Sequence, residues 1–174
     1  YKNTLRQAVT LFEIVRTQYR FLLGGQYARM WQGKCYEEMG ELGKAEGIYK
    51  ELAEHEDKDS SMQALQRQVE FFQIILLNKR GDHIIAADMA KKWLQHLPSQ
   101  RRNPIGLGVQ FEMAKGLIEQ TVPQQGKNPD RTRMLSQAMD ALAEVARYDT
   151  IYKQPAILLQ QKYKGLVGAV GSVL

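Results

Sequence analysis

The sequence is poor in the residues that staple or break a small fold. Its 174 residues hold one cysteine, Cys35, so no intrachain disulfide can form. That suits a reducing compartment such as the cytoplasm, and an exported protein that does without disulfides fits too. Proline is down to five residues, and β-branched runs are few, which turns the balance away from strands. No apolar stretch approaches the ~20 residues of a membrane-spanning helix. The densest, 71–77, is short and interrupted by Gln73. No secretory leader is visible. The chain starts at Tyr1 rather than Met and reads as a segment of a longer protein.

Signatures of catalysis are missing as well. The three histidines, His55, His83 and His96, fall near predicted helix ends, and none has a partner at the i+4 spacing of a helical zinc pair. There is no G-x-S-x-G, no P-loop and no Rossmann fingerprint. Gly106 and Gly108 make only a G-x-G, without a strand before it, and read as loop and helix start. The acidic stretch Glu54, Glu56, Asp57 and Asp59 lacks the glycine and terminal glutamate of a calcium loop and reads as a solvated loop. No pattern calls for a metal or a cofactor, and no enzyme is expected.

What is present is an ordinary globular composition, 44% apolar and 25% charged. A compact chain of this length buries roughly two-thirds of its unfolded surface. The net charge of +5 is uneven: −1 over 1–59, +2 over 60–98 and +4 over 99–174. A basic C-terminal part attracts acidic partners.

The hydrophobic period is helical almost throughout. It predicts helices at about 3–20, 26–39, 42–54, 61–79, 82–96, 109–120 and 131–148, with an eighth from near Pro155. Gly24 and Gly25 should end the first helix, Gly40 the second and Gly81 the fourth. Ser60 and Gln63 offer a capping box to the fourth, which is apolar on several faces at once. Loops are expected at 54–61, 99–108 and 121–130. The fold class is all-α, with about eight helices.

The segment 33–52 carries a repeat pattern in Gly33, Tyr36, Gly40, Leu42, Ala45, Tyr49 and Leu52. Gly33 and Ala45 let two helices approach, Tyr36 and Tyr49 fill the space between, and Gly40 makes the turn. This resembles the tetratricopeptide repeat, although Arg29 and Gln32 occupy the places of that family's first-helix tryptophan and leucine. Fainter copies flank it: Leu5, Ala8, Phe12 and Val15 before, then Gly81, Ala86, Ala90, Trp93 and Pro98, then Ala114, Leu117, Leu135, Ala138, Leu142 and Val145. The alanines at 8, 45, 86 and 138 lie 37, 41 and 52 residues apart, all above the family's ~34. The resemblance implies antiparallel helical hairpins stacked as a right-handed solenoid across one domain, 1–174. A trailing half-repeat would occupy 3–20, with repeats at 26–55, 61–98 and, divergently, 108–150, and a closing helix at 154–174. The rival architecture is another helical-hairpin array or bundle.

The resemblance also implies a binding groove lined by the first helix of each repeat. That stripe contains Tyr27, Met30, Trp31, Lys34, Glu37 and Glu38, then Gln68, Phe71, Phe72, Ile75 and Lys79, then Phe111, Glu112 and Lys115. Aromatic anchors rimmed by lysines suit a protein or peptide partner, so the leading expectation is a non-catalytic scaffold or adaptor; the alternative for these aromatics, given so apolar a fourth helix, is core covered by neighbouring helices or the loop. Nucleic acid is the second partner considered, through Arg101, Arg102, Arg131, Arg133, Lys162 and Lys164. Self-association through the apolar tail 165–174, or a spacer role, is the third.

Overall fold

The computed structural model describes residues 1–56, 59–122 and 129–171. Regular structure among the described residues is entirely helical, with eight α-helices and no strand. They are α1 (Lys2–Gln18), α2 (Leu23–Met39), α3 (Leu42–Ala53), α4 (Ser60–Arg80), α5 (His83–His96), α6 (Pro104–Thr121), α7 (Pro129–Ala146) and α8 (Lys153–Gly171), with a 3-10 turn at Pro98–Gln100. The chain groups into two compact units, Tyr1–Leu76 and Leu77–Leu174.

In the first unit α2 packs on both α1 and α3. Gly40 ends α2 at φ +84°, its N–H bonded to the Glu37 carbonyl and the Glu41 N–H to that of Tyr36. This left-handed cap costs a glycine little and turns the chain back within two residues. The hairpin then closes over Gly33: a Cβ there would stand 2.8 Å from the Tyr49 ring and 3.0 Å from Ile48. Tyr49, Leu52, Met30 and Leu65 of this unit are fully buried, each contributing about 1.5–3 kcal/mol on an area basis. Helix α1 buries no residue completely. Its Arg16 reaches Glu51 of α3 at 2.6 Å, and its Glu13 accepts from the Gln32 amide at 2.7 Å.

In the second unit α6 packs on α5 and α7, and α7 on α8. Gly81 repeats the Gly40 cap at φ +87°, with Asp82 N–H bonded to the Leu77 carbonyl. Gly116 provides the close approach: a Cβ there would stand 3.0 Å from the His83 carbonyl oxygen and 3.4 Å from the Ala87 methyl. Ala86, Ala90, Val109, Ala114, Leu142 and Val145 fill the core.

Three sequence expectations are corrected. Gly24 and Gly25 do not end α1; both lie in the first turn of α2. The segment 99–108 is not all loop, because α6 begins at Pro104 and buries Gly106 and Gly108. Asn103 caps this helix, accepting the Gly106 N–H at 2.8 Å, and Pro104 stands at the first helical position, where a missing N–H costs nothing. The cap of α4 is Asp59, whose carboxylate accepts the Met62 N–H at 2.8 Å, rather than Ser60. The expected loop at 54–61 includes residues 57–58, and that at 121–130 includes 123–128, all outside the described residues. The expected apolar tail lies outside them for 172–174.

Gly25 and Gly106 share one device. Each is the third residue of its helix, and a Cβ on either would stand 2.1 Å from a carbonyl oxygen six residues earlier, Tyr19 or Gln100. That carbonyl accepts the N–H of the residue before the helix, Leu22 or Asn103. A glutamine side chain from the same helix holds the next carbonyl along: Gln26 reaches Arg20 at 3.0 Å and Gln110 reaches Arg101 at 2.7 Å. The two glycines are 81 residues apart in sequence. The same offset carries Gly33 onto Ala114 and Lys34 onto Lys115.

Candidate functional site

The candidate stripe residues have different fates in the two units. In the first unit Met30, Phe71 and Phe72 are buried, and Tyr27, Lys34, Gln68 and Ile75 are half-buried. Phe72 is the hub: Tyr49, Trp31 and Phe71 lie 5.8, 5.9 and 6.0 Å from it, ring centre to ring centre, all tilted. Only Trp31 of this group opens to solvent, at 40% exposure. Phe71 and Phe72 therefore do not form an open aromatic floor. The apolar circumference of α4 is taken up by packing. Glu37 is buried too, accepting the Tyr49 hydroxyl at 2.9 Å and the Lys34 ammonium at 2.6 Å. Lys34 lies 5.0 Å over the Phe72 ring. Burial, then the Glu37 charge, pushes the Tyr49 phenol well above its ordinary pKa. The Cys35 thiol is buried and pushed up by desolvation and then by Glu38.

In the second unit Lys79 is exposed, while Phe111 and Lys115 are half-buried and line an open groove of about 370 Å³ between α6 and α8. Phe111 and Ile118 of α6 face Pro155, Leu158 and Leu159 of α8; Lys115, Glu119 and Lys162 complete the lining. Leu158 is 63% exposed, a large apolar side chain that the described residues leave open. Both flanks follow helical arithmetic: positions 111, 115, 118 and 119 on one side, 155, 158, 159 and 162 on the other. The first flank stands out in the sequence through its aromatic; the second does not, although its i, i+3, i+4, i+7 spacing is a signal that could have found it.

A buried polar chain backs this groove. Glu112 accepts the Asn78 amide at 2.9 Å and the Lys115 ammonium at 2.9 and 3.0 Å. Asn78 also donates to the Glu112 carbonyl at 2.9 Å, and its oxygen faces His83 Nδ1 at 3.1 Å. With the amide nitrogen committed to Glu112, the oxygen must accept from His83. Phe111 and Tyr152 form a tilted ring pair with centroids 5.5 Å apart. Burial first, and the Glu112 charge second, push the Tyr152 phenol up to about 12.

The pH consequence has a definite sign. An unfolded tyrosine loses its proton near pH 10, whereas folded Tyr152 keeps it to about 12. Between these values the unfolded state binds fewer protons, so stability falls as pH rises. We expect stability, measured by urea unfolding across this window, to fall less steeply in Tyr152→Phe than in the parent. Parallel curves would remove Tyr152 from the account.

Comparison with protein-family models, with curated proteins and with solved structures finds no match.

Proposed function

We propose that the chain is a non-catalytic binding module of tetratricopeptide-like helical repeats, and that it takes an apolar segment of a protein partner into the α6–α8 groove. One observation carries the reading: an apolar trough of about 370 Å³ that the described residues leave open, with Leu158 exposed and lysines in its wall. Large apolar side chains left uncovered in a concave site point to binding. The repeat element is supported by the 81-residue recurrence of the glycine device at the start of α2 and α6, close to two spacings of the 41 residues between Ala45 and Ala86. The stripe first expected across Met30, Phe71 and Phe72 gives way to this narrower site, because those side chains are core.

The nucleic-acid alternative has weaker support. Arg102 lies 3.4 Å from Glu144 and Arg133 lies 3.2 Å from Asp130, so at least two of its six cations already face carboxylates.

Leu158→Glu is the test. The position is exposed, so the fold should survive, with unchanged helicity by circular dichroism. A protein partner captured by the parent chain from nuclease-treated lysate should be lost by the variant. Capture that persists unchanged would overturn the groove, and capture that vanishes with nuclease would favour nucleic acid.

A further inference from the structure

Building on the groove as a protein-binding site, we propose that it selects a peptide segment with two apolar anchors beside a carboxylate, and that Lys162 is the residue that reads the carboxylate. The volume sets the number of anchors. A cavity of ~150 Å³ holds a benzene ring, so about 370 Å³ takes two leucine- or phenylalanine-sized side chains rather than a whole helix face.

Charge sets the polar part. Three ionisable side chains line the groove: Lys115, Glu119 and Lys162. Lys115 is committed, its ammonium held by both Glu112 oxygens and lying 5.7 Å over the Phe111 ring. Lys162 is exposed and has no carboxylate within ion-pair reach among the described residues; its ammonium sits 5.1 Å over the Tyr163 ring. That contact directs the cation without neutralising it. Glu119, on the α6 side, is the one lining group that opposes an incoming carboxylate. The wider field favours it: the sequence of the second unit holds 14 Lys and Arg against 8 Asp and Glu, a net +6. The first unit holds 10 against 11, so attraction of an acidic segment belongs to the second.

The experiment is selection from a phage-displayed random dodecapeptide library on the whole chain, in parallel with Leu158→Glu and Lys162→Glu variants. Peptides enriched on the parent should pair two large apolar residues with Asp or Glu and be lost on Leu158→Glu. On Lys162→Glu they should bind about three- to tenfold more weakly, as expected when an exposed pair becomes a repulsion, and fresh selection should turn to Lys or Arg. Groove-dependent peptides without acidic enrichment, or indifferent to Lys162→Glu, overturn the assignment of Lys162 while leaving the groove a binding site. Peptides that ignore Leu158→Glu, or no enrichment at all, overturn both.

Discussion

Gly106→Ala should lower the stability of the second unit by about 3 kcal/mol, although alanine is the better helix former at most positions. The new methyl would stand 2.1 Å from the Gln100 oxygen and 2.9 Å from the Arg101 Cα and carbonyl carbon. All three are backbone atoms, so no rotamer change relieves the overlap. The carbonyls cannot simply lift away, since Asn103 N–H holds the Gln100 oxygen at 3.1 Å and the Gln110 amide holds the Arg101 oxygen at 2.7 Å. Moving the turn also withdraws the Asn103 cap, worth about 1 kcal/mol. Gly25→Ala should do the same in the first unit, against the Tyr19 carbonyl at 2.1 Å. The control is Gly47→Ala in α3, where nothing lies within 4 Å of the added methyl and a gain of about 0.5–1 kcal/mol is expected. Each unit holds one of the two tryptophans, Trp31 and Trp93, so denaturant unfolding followed by fluorescence can report the site of damage. Gly106→Ala with an unchanged midpoint would mean that the start of α6 is not pinned as described.

The same glycines show where the sequence is legible and where it is not. Gly40 and Gly81 close apolar-periodic runs, and each takes the left-handed cap that position asks for. Gly33 faces Tyr49 sixteen residues on, within one hairpin, so the pattern of small against aromatic could be read locally. Gly25 and Gly106 look like the same punctuation but are needed for something else: the room they leave is occupied by chain on the far side of a turn. At Gly106 a local signal existed, because Asn103–Pro104 is a cap followed by a first-turn proline. At Gly25 the residue before the helix is Leu22, which supplies no side-chain cap, and only the three-dimensional turn explains the glycine.

The groove was half legible for a related reason. Periodicity ranks positions by the face of their own helix, which identifies Phe111 and Lys115 but does not say which other helix lies opposite. Phe71 and Phe72 have the same composition and spacing as a binding stripe, yet both are buried. Leu158 carries no distinguishing chemistry; its exposure decides its role, and exposure is a property of the packed chain. The buried carboxylates are hidden in the sequence because Glu37 and Glu112 satisfy a helical surface pattern as readily as Glu38 and Glu119, which are exposed.

Asn78→Leu is expected to destabilise the second unit by about 3 kcal/mol, the range for stranding a buried charge. The asparagine is 8% exposed and Glu112 is 5% exposed. Without the amide, Glu112 keeps only Lys115 as a side-chain partner among the described residues, and His83 Nδ1 loses its acceptor. His83 is half-buried at the start of α5 and can turn toward water, so the cost concentrates on the carboxylate. That predicts rescue: Asn78→Leu combined with Glu112→Met should regain most of the loss, because an apolar pair of similar volume asks for no hydrogen bonds. Lys115, more than a third exposed, can then return its ammonium to solvent. A double-mutant cycle separates the two contributions. Loss of the Glu112 charge should also lower the Tyr152 phenol from its raised position, since that charge is the second cause of the shift, and alkaline titration of the tyrosine absorbance can follow the change. If the double variant proves as unstable as the single one, Asn78 acts through His83 and the α5–α6 contact instead of through the buried carboxylate.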